Sequence, residues 1–401
     1  IALVTHAGLD LTQTDYTRKE KVTAIEPVVK GGKYRFDTDQ HFIYNLRANL
    51  HYDQSFLNDE LRITALGGGE FRNVKDYDIY TSTYGDMSYP NWYSLDNAPG
   101  WPEGGERDKV LGHTRGQESV YSIYGSVTAS WKDRYYLEVQ GRNDWSSTLP
   151  KGNNSYFYPG ISFNWNFSQD IDVPQLQFGT VRLSWADVGR PATRYFALRQ
   201  YNLSTIPNTN TGKVEPPLEL FSGNIKPERK REFEIGGNLR FFPQNRIEID
   251  FSYYNAIIYD QIMGIPLTSA TRYNKIKINA GQVNNHGYEI MLKGAILAHK
   301  DYRWDVTFNL ANQFSEVKEL YGGITRHILG SNNGWQVVAE NGKRAGEIMT
   351  YDYLKTPDGQ RVVGSDGLYQ LDKDAGFKTV GNINPSLIGG IATDFYYKHF
   401  N

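Results

Sequence analysis

A strict alternation of apolar and polar residues across positions 286–314 constrains the fold more than any other feature of the sequence. One alternating set contains Tyr288, Ile290, Leu292, Gly294, Ile296 and Ala298, then, after the polar break at 299–301, Tyr302, Trp304, Val306, Phe308 and Leu310. The complementary set contains Glu289, Met291, Lys293, Ala295 and Leu297, then Arg303, Asp305, Thr307, Asn309 and Gln313. Successive side chains of a β-strand point to opposite faces, so the segment predicts a hairpin with one apolar and one polar face. A soluble β-sandwich also alternates, so this hairpin alone does not decide between a soluble and a membrane protein.

Similar runs recur along the chain and predict further strands. They cover residues 41–52, 60–72, 120–131, 135–144, 156–168, 178–188, 231–242, 246–257 and 386–398, with a weaker candidate at 20–30. Residues 1–19 are weakly patterned and are expected to form a loop. The glycines at 67–69 interrupt one run and are expected to mark a bulge or a bend.

The connections between these strands alternate strictly between short and mostly much longer segments. The short ones are 53–59, 132–134, 169–177, 243–245 and 299–301, and the others are 73–119, 145–155, 189–230, 259–285 and 317–385. In an up-and-down sheet this order places every tight turn at one edge and every long loop at the other. Outer-membrane barrels have that arrangement, whereas sandwiches and propellers have no reason to sort loops by length. The sequence therefore predicts an all-β, antiparallel up-and-down transmembrane β-barrel.

Composition supports strands that are apolar on one face only. The chain of 401 residues has 14% aromatic and 22% charged residues, with a mean hydropathy of -0.57. Polar residues at every second position hide such strands from hydropathy averages. A formal net charge of -2 gives no electrostatic reason to expect a nucleic-acid partner, and the chain contains no cysteine.

Five short motifs stand out along the chain. They are Arg142-Asn143-Asp144-Trp145-Ser146-Ser147, Tyr158-Pro159-Gly160, Ile225-Lys226-Pro227-Glu228, Gly381-Asn382-Ile383-Asn384-Pro385 and the run from Asn279 through Asn285-His286-Gly287-Tyr288-Glu289. These motifs, the run from Asn279 most specifically, resemble the SusC/RagA class of TonB-dependent outer-membrane transporters of Bacteroidota. Their order and spacing agree with the family from about residue 121 to the end of the chain.

The resemblance implies an outer-membrane location in a Gram-negative bacterium and a barrel of roughly 22 strands. It also implies a plug domain, the energy-coupling protein TonB, a SusD-like surface lipoprotein and import of an oligosaccharide or a peptide. The chain has no segment matching the plug, so residues 1–401 are expected to be a partial barrel domain whose plug and remaining strands lie outside it.

Candidate site residues follow from the two faces and from one aromatic loop. The residues expected to face outer-membrane lipid are Ile290, Leu292, Val306 and Phe308. The residues expected to face a polar lumen are Glu289, Lys293, Arg303, Asp305 and Asn309. In the loop at 73–119, Tyr89, Trp92, Tyr93 and Trp101 are candidates for substrate or partner contact, because aromatic faces stack on sugars and peptide side chains. Packing of this loop against itself or against a lipoprotein explains the same residues and is the simpler interpretation.

Two alternatives remain open at this point. The chain could be a β-rich glycan-binding surface protein, or a carbohydrate-active enzyme that uses a carboxylate pair such as Glu232/Glu234 or Glu248/Asp250. Nearby arginines favour a charge-balanced surface over catalysis. The eight histidines show no metal-binding spacing, so no metal, cofactor or catalytic residue is expected.

Overall fold

The structure is a computed structural model that describes residues 1–21, 32–83, 87, 89, 91–95, 97, 111–196, 201–205, 211–332 and 334–398. Its strands in chain order are β1 (Ala2–Glu20), β2 (Lys33–Phe56), β3 (Leu61–Ser82), β4 (Leu111–Trp131), β5 (Tyr135–Ser146), β6 (Ser155–Trp165), β7 (Leu176–Arg190), β8 (Asn202–Thr205), β9 (Gly212–Glu215), β10 (Glu219–Phe221), β11 (Glu228–Phe241), β12 (Ile247–Tyr259), β13 (Ile262–Pro266), β14 (Lys275–Asn279), β15 (Gln282–Ala298), β16 (Tyr302–Glu319), β17 (Arg326–Asn332), β18 (Trp335–Glu340), β19 (Glu347–Tyr351), β20 (Phe377–Asn382) and β21 (Leu387–Tyr397). Single-turn 3-10 helices lie at Phe167–Gln169, Ser269–Thr271 and Tyr321–Gly323.

Twelve of these strands form one antiparallel sheet, which we call the wall. Its order is β1-β2-β3-β4-β5-β6-β7-β11-β12-β15-β16-β21, so each wall strand lies beside the next wall strand along the chain. The tight connections fall at one edge of the wall, as predicted. In the part of the chain that is described, β1 and β21 are edge strands and do not pair with each other, so the wall is an open sheet.

The long connections at the opposite edge carry three small sheets. Strands β8 and β9 pair together, β10, β14 and β13 form a second sheet, and β17 to β20 form a third. Two further hairpin turns contain the pairs Asp358-Gly359 and Asp366-Gly367, because bridges join Lys355 to Arg361 and Val363 to Tyr369. None of the helices among the described residues has the length and apolarity that a membrane crossing requires.

One prediction about the start of the wall is wrong, and a second is not tested. The segment 1–19 is not a loop, because β1 pairs with β2 without interruption from Ala2 opposite His51 to Glu20 opposite Lys33. The candidate strand at 20–30 falls almost entirely outside the described residues. Residues 12–20 of β1 are mostly polar on both faces, so side-chain alternation carried no signal there, and only the neighbouring strand supplies hydrogen-bond partners. Leu3, Ala7, Leu9 and Leu11 do alternate and share a face with Leu50 and Leu46 of β2, a short pattern that the prediction overlooked.

Strands β3 and β4 of the wall are also longer than predicted. β3 continues to Ser82 and β4 starts at Leu111, so both extend into the segment expected to be a loop. Pairing in this region uses polar rows such as Asp39 opposite Asp78 and Asp78 opposite Thr114, which have no apolar face to detect.

The glycines at 67–69 do not form a bulge, because the register runs through them without a shift on both sides. Glycine is needed there for close approach: a Cβ atom on Gly68 would lie 2.8 Å from the ring of Tyr124. The Tyr124 hydroxyl donates to the Asn49 Oδ1 at 2.6 Å across this position.

Gly287 occupies a second site of close approach and supports a stability prediction. A Cβ atom there would lie 2.1 Å from the Asn312 carbonyl oxygen and 2.6 Å from the Tyr254 hydroxyl. Gly287→Ala should therefore destabilise the wall by about 1–3 kcal/mol and lower the yield of assembled protein. The thermal unfolding midpoint and the folded band on semi-native gels measure this. Gly294→Ala is the control, because no atom lies within 4 Å of its added Cβ, and equal losses in both variants would contradict the steric cause.

Glu340 at the end of β18 supports a pH prediction for the four-stranded sheet. Hydrogen bonds from Lys343 and Arg326 lower the pKa of Glu340 below its ordinary value. A lowered folded-state pKa means that this stabilisation is complete above the ordinary pKa of glutamate and is lost as the pH falls through the folded value. Hydrogen exchange of the Asn341 and Gly342 amides should accelerate at that acidic pH after correction for intrinsic rates. Glu340→Gln should remove the pH-dependent part, and an unchanged pH profile in that variant would refute the assignment.

Candidate functional site

The two faces of the wall differ in chemistry along most of its width. Directly opposed residues of antiparallel strands project to the same face, so the pairing register assigns each side chain to a face. One face, which we call the apolar face, carries large exposed hydrophobic side chains on neighbouring strands. They include Leu46, Leu50, Ile123, Val127, Val139, Ile161, Phe233, Ile235, Phe251, Leu292 and Phe308. A soluble protein rarely leaves so large a continuous apolar surface exposed.

Aromatic residues border this apolar face at two levels. Near the tight turns, Trp131 pairs with Tyr135, Tyr135 with Trp165, and Tyr302 with Tyr397. Toward the long loops, Tyr121 pairs with Phe71 and Trp145. Tyr121 and Trp131 are ten residues apart on β4, which on a strand tilted by about 40° corresponds to roughly 25 Å of height. That height matches the apolar band of outer-membrane barrels, including its two aromatic girdles.

The predicted hairpin lies within this pattern. Leu292 is opposite Phe308, Ile290 opposite Leu310, and Gly294 opposite Val306, all on the apolar face. Leu292 and Phe308 are 42% and 47% exposed, whereas Ile290 and Val306 are half-buried. The polar positions of the pattern share the other face, where Lys293 is opposite Thr307 and Asn309 opposite Met291.

Leu297 and Ala298 are the exceptions. The assignment of Leu297 to the polar face was wrong, and so was that of Ala298 to the apolar face, because Ala298 lies opposite Arg303. The register shifts between Ala295 and Leu297, so that Leu297 lies opposite Trp304 on the apolar face. A β-bulge inserts one unpaired residue and reverses the alternation beyond it. Strict counting of odd and even positions misses such a shift.

Ion pairs and hydrogen bonds cover the opposite face, which we call the polar face. Across β7, β11 and β12, Arg182 donates to both carboxylate oxygens of Asp250 at 3.1 and 2.9 Å. Asn238 donates to Asp250 and to Glu248, each at 3.0 Å, and Arg240 binds Glu248 at 3.1 Å. The carboxylate pair Glu248/Asp250 is therefore held by two arginines and an amide.

The second carboxylate pair is also engaged. Glu234 accepts a hydrogen bond from Ser252 at 3.1 Å, and Glu232 forms an ion pair with Lys230. Among the other predicted polar residues, Arg303 binds both oxygens of Asp305 at 2.9 and 2.8 Å, and Asp305 is only 4% exposed. Glu289 is exposed and lies opposite Ser252. These contacts describe a charge-balanced surface, not a free pair of catalytic carboxylates.

The motif beginning at Arg142 builds a second polar cluster on the same face. Arg142 binds Asp144 at 2.7 Å and Glu70 at 3.0 Å, and the Tyr158 hydroxyl donates to Asp144. Glu70 also accepts from Asn45 at 2.6 Å. The motif thus connects β2, β3, β5 and β6 through side chains.

Loop residues fold over the polar face near the long-loop edge. Leu149, Tyr156, Ala192 and Ile225 form a buried apolar cluster there. Arg194 in the same region forms ion pairs with Asp76 and, at 3.4 Å, with Glu118. These contacts tie the segment after β7 to β3 and β4, four and three wall strands away.

The motif at Ile225-Lys226-Pro227-Glu228 and the motif that starts at Asn279 meet at the Asn279 side chain. Its side-chain amide donates to the carbonyls of Lys226 and Asp260 at 2.8 and 2.9 Å, while its oxygen accepts from the Lys226 amide at 2.7 Å. Glu228 accepts from the Ile262 amide at 2.9 Å. The motif residues therefore join two long connections, a role that their spacing alone did not reveal.

The aromatic loop candidates are only partly described. Tyr89 and Trp92 are exposed and their ring centroids are 5.8 Å apart, and the ammonium of Lys19 lies 5.6 Å from the Tyr93 ring. Asn97, which sequence reasoning missed, binds the Tyr89 amide at 2.8 Å and the Trp92 carbonyl at 2.6 Å. Trp101 lies outside the described residues. A contact role for these aromatics stays a prediction.

No group of three or more histidine, aspartate or glutamate side chains in the described ranges is arranged to hold a metal ion. The ion pairs and hydrogen bonds described above already engage Glu70, Asp144, Glu232, Glu234, Glu248, Asp250 and Asp305.

Comparison with known proteins identifies relatives for nearly the whole chain. Residues 5–385 match the family described as TonB dependent receptor-like, beta-barrel. TonB-dependent receptor P3 of Formosa agariphila is 23% identical over 380 residues, which cover 88% of this chain and 37% of that protein. SusC of Bacteroides thetaiotaomicron is 23% identical over 426 residues, which cover 96% of this chain and 40% of that protein.

Solved structures share the fold. The RagAB peptide importer in its open-open state superposes with a TM-score of 0.80 at 18% identity, over 99% of this chain and 43% of that one. The outer-membrane transporter YddB of Escherichia coli gives a TM-score of 0.54 at 12% identity, over 98% of this chain and 53% of that one. The chain spans less than half the length of the curated relatives it matches.

Asn279 supports a prediction for the loop-side structure. Asn279→Ala removes three hydrogen bonds to backbone groups and should destabilise this region by about 1–3 kcal/mol. Limited proteolysis should then cleave faster around residues 222–228. Asn274→Ala is the matched control, because the Asn274 side chain makes no hydrogen bond in the described part of the chain. Equal proteolysis of both variants would contradict the role given to Asn279.

Proposed function

Because the chain belongs to the TonB dependent receptor-like β-barrel family, we propose that it forms part of the wall of an outer-membrane nutrient importer. Its apolar face contacts outer-membrane lipid through residues such as Ile290, Leu292, Val306 and Phe308. Its polar face lines the import pathway. The sorting of connections by length supports an orientation with the tight turns in the periplasm and the long loops outside the cell.

The observation that carries this proposal is the opposite solvation of the two faces. The apolar face exposes hydrophobic side chains between aromatic girdles, which suits hydrocarbon, while the polar face pairs its charges with one another. In a bilayer every backbone group must be bonded internally, and a barrel wall of antiparallel strands meets that condition everywhere except at open edges. Further strands supplied by polypeptide outside residues 1–401 would close the barrel, and a plug domain would lie inside it. The share of the relatives that the chain covers supports this.

The polar face gives the pathway its surface chemistry. Glu289, Lys293, Arg303, Asp305 and Asn309 contribute charge and hydrogen-bonding capacity to the lumen. The exposed members of this set, Glu289 and Asn309, are available to passing solute. Asp305, held by Arg303, acts as a structural ion pair instead.

Import requires partners that recognise substrate and supply energy. We assign extracellular capture to a SusD-like lipoprotein working with the long loops, and energy to TonB acting on the plug. The substrate is an oligosaccharide or a peptide. The fold shared with a peptide importer supports the peptide class, and the motif resemblance to the SusC/RagA class implies the oligosaccharide class.

The alternative functions have less support. A soluble glycan-binding protein would not need a continuous apolar band bounded by two aromatic girdles. A carbohydrate-active enzyme would need a carboxylate pair free to exchange protons, whereas Glu248 and Asp250 are engaged by Arg240, Arg182 and Asn238. We therefore assign no catalytic role to this chain.

Substitution on the two faces tests the proposed membrane assignment. In the full-length receptor, Leu292→Arg or Phe308→Arg should cost roughly 2–4 kcal/mol near the bilayer midplane and reduce outer-membrane assembly and uptake. Asn309→Arg, on the polar face of the same hairpin, should assemble normally. Assembly is measured by the heat-modifiable folded band in outer-membrane fractions, and uptake by growth on candidate oligosaccharides or peptides. Normal assembly of the Leu292 and Phe308 variants would refute the lipid-facing assignment.

A further inference from the structure

An ion cluster interrupts the apolar face at the ends of β7 and β11. Arg231 lies opposite Asp187, and two residues further along the strands Phe233 lies opposite Trp185. The register has no shift between these rows, so both pairs project to the same face. Charged groups are therefore placed directly beside the exposed Phe233 and the half-buried Trp185 of the apolar band.

The position of the cluster explains how charge is tolerated there. Phe241 marks the tight-turn end of β11, and Arg231 lies ten residues away from it along the strand, which corresponds to about 25 Å of height across the apolar band. Arg231 is thus at the outer boundary of the hydrocarbon, where polar lipid headgroups begin. Arginine commonly places its aliphatic stem along apolar surface with the guanidinium at this level.

The cluster has excess positive charge and unused donors. Asp187, with a side chain 5% exposed, accepts from Arg229 at 2.9 Å, from Arg231 at 2.9 Å and from the Tyr259 hydroxyl at 2.9 Å. Two arginines thus share one carboxylate. The Arg231 side chain is 51% exposed, and its Nη1 donates no hydrogen bond to any group in the described ranges.

An apolar groove of about 500 Å³ crosses the same face beside the cluster. Its base is formed by Gly67, Gly125 and Gly141, and its sides by Leu50, Tyr52, Val127, Val139, Phe157 and Pro159. The groove runs from β2 to β6 on the apolar face. Because it lies on that face, it is open toward the surface that we assign to lipid.

The groove and the cluster are continuous. Arg229 donates from Nη1 to the carbonyl of Phe157, which borders the groove, at 2.8 Å. The pairing of Gly160 with Ala186 places Pro159 beside the strand position of Asp187. Four strand spacings separate β3 from β7, or about 19 Å. Because barrel strands tilt, this path rises from the middle of the apolar band toward its outer boundary.

We propose that this groove binds a phosphorylated, acylated lipid of the outer leaflet. One acyl chain occupies the groove, where it covers apolar surface between the aromatic side chains. The phosphate lies at Arg231, whose free Nη1 donors form charge-assisted hydrogen bonds with it. The net positive charge of the cluster complements a phosphate, and the apolar groove complements an acyl chain. A ligand that fits both parts is therefore a lipid with a phosphorylated headgroup. This site rests on the lipid-facing assignment under the proposed function and is separate from the import pathway on the polar face.

Lipid retention by the purified full-length receptor tests the proposal. The probe is bisphosphorylated lipid A, added in detergent and measured as bound mass by native mass spectrometry. Arg231→Gln should lower retention about tenfold, since a hydrogen bond to a charged group is lost. Gly67→Leu, which fills the groove, should lower it roughly threefold to tenfold.

Matched controls separate this site from general effects. Arg115→Gln removes an exposed charge from the same face outside the groove, and Gly294→Leu adds the same bulk at another position with no atom within 4 Å. Both should retain lipid A as the wild type does, and all four variants should show the heat-modifiable folded band. A site variant that misfolds is replaced by Arg231→Met, which keeps the aliphatic stem and removes the charge, or by Gly67→Val, which adds less bulk.

The outcomes distinguish a lipid site from a free-anion site and from a general effect of surface charge. Dephosphorylated lipid A should be retained no better by the wild type than by Arg231→Gln, and inorganic phosphate should not displace the lipid. Equal retention by wild type and Arg231→Gln, or an equal loss in Arg115→Gln, would overturn the proposal. Displacement by inorganic phosphate alone would show a free-anion site and also overturn it. Uptake assays on the same variants report import independently, so failure here leaves the proposed importer function untouched.

Discussion

Backbone hydrogen bonding between consecutive wall strands is the constraint on which the rest of the structure depends. An antiparallel ladder satisfies its N–H and C=O groups without help from solvent, so its two faces are free to meet different environments. The side-chain alternation then becomes a division between an apolar and a polar surface. The register determines which residues meet on each face, and a single shift, such as that after Ala295, changes the division locally.

The family motifs serve this architecture more than they serve chemistry. Arg142 and Asp144 link four wall strands on the polar face, and Asn279 joins two long connections through backbone groups. Gly287 lets the Tyr254 ring lie against the backbone. The carboxylates that look paired in the sequence likewise have a structural role, because Arg182 binds Asp250 and Arg240 binds Glu248.

The parts of the fold within the apolar band were predictable, and the parts beyond it were less so. Hairpins such as β11–β12 and β15–β16 were located closely because one face must be apolar. The distal halves of β3 and β4, and β1 beyond Leu11, were missed, since strand segments with polar residues on both faces keep no alternation. Of the candidate residues, Leu292 and Phe308 could be placed on one face by counting. Leu297 could not, because a bulge leaves no compositional mark.

By itself the sequence determined an all-β chain of antiparallel neighbours, with its tight turns at one edge and its loops at the other. Periodicity and connection length are local properties, and local properties are sufficient for that result. Only the tertiary structure decided which distant side chains meet: Arg182 with Asp250, Arg194 with Asp76, and Arg229 and Arg231 with Asp187. Such contacts depend on the register between strands and on the path of long loops. Both result from the energy of the assembled sheet, which no single stretch of sequence contains.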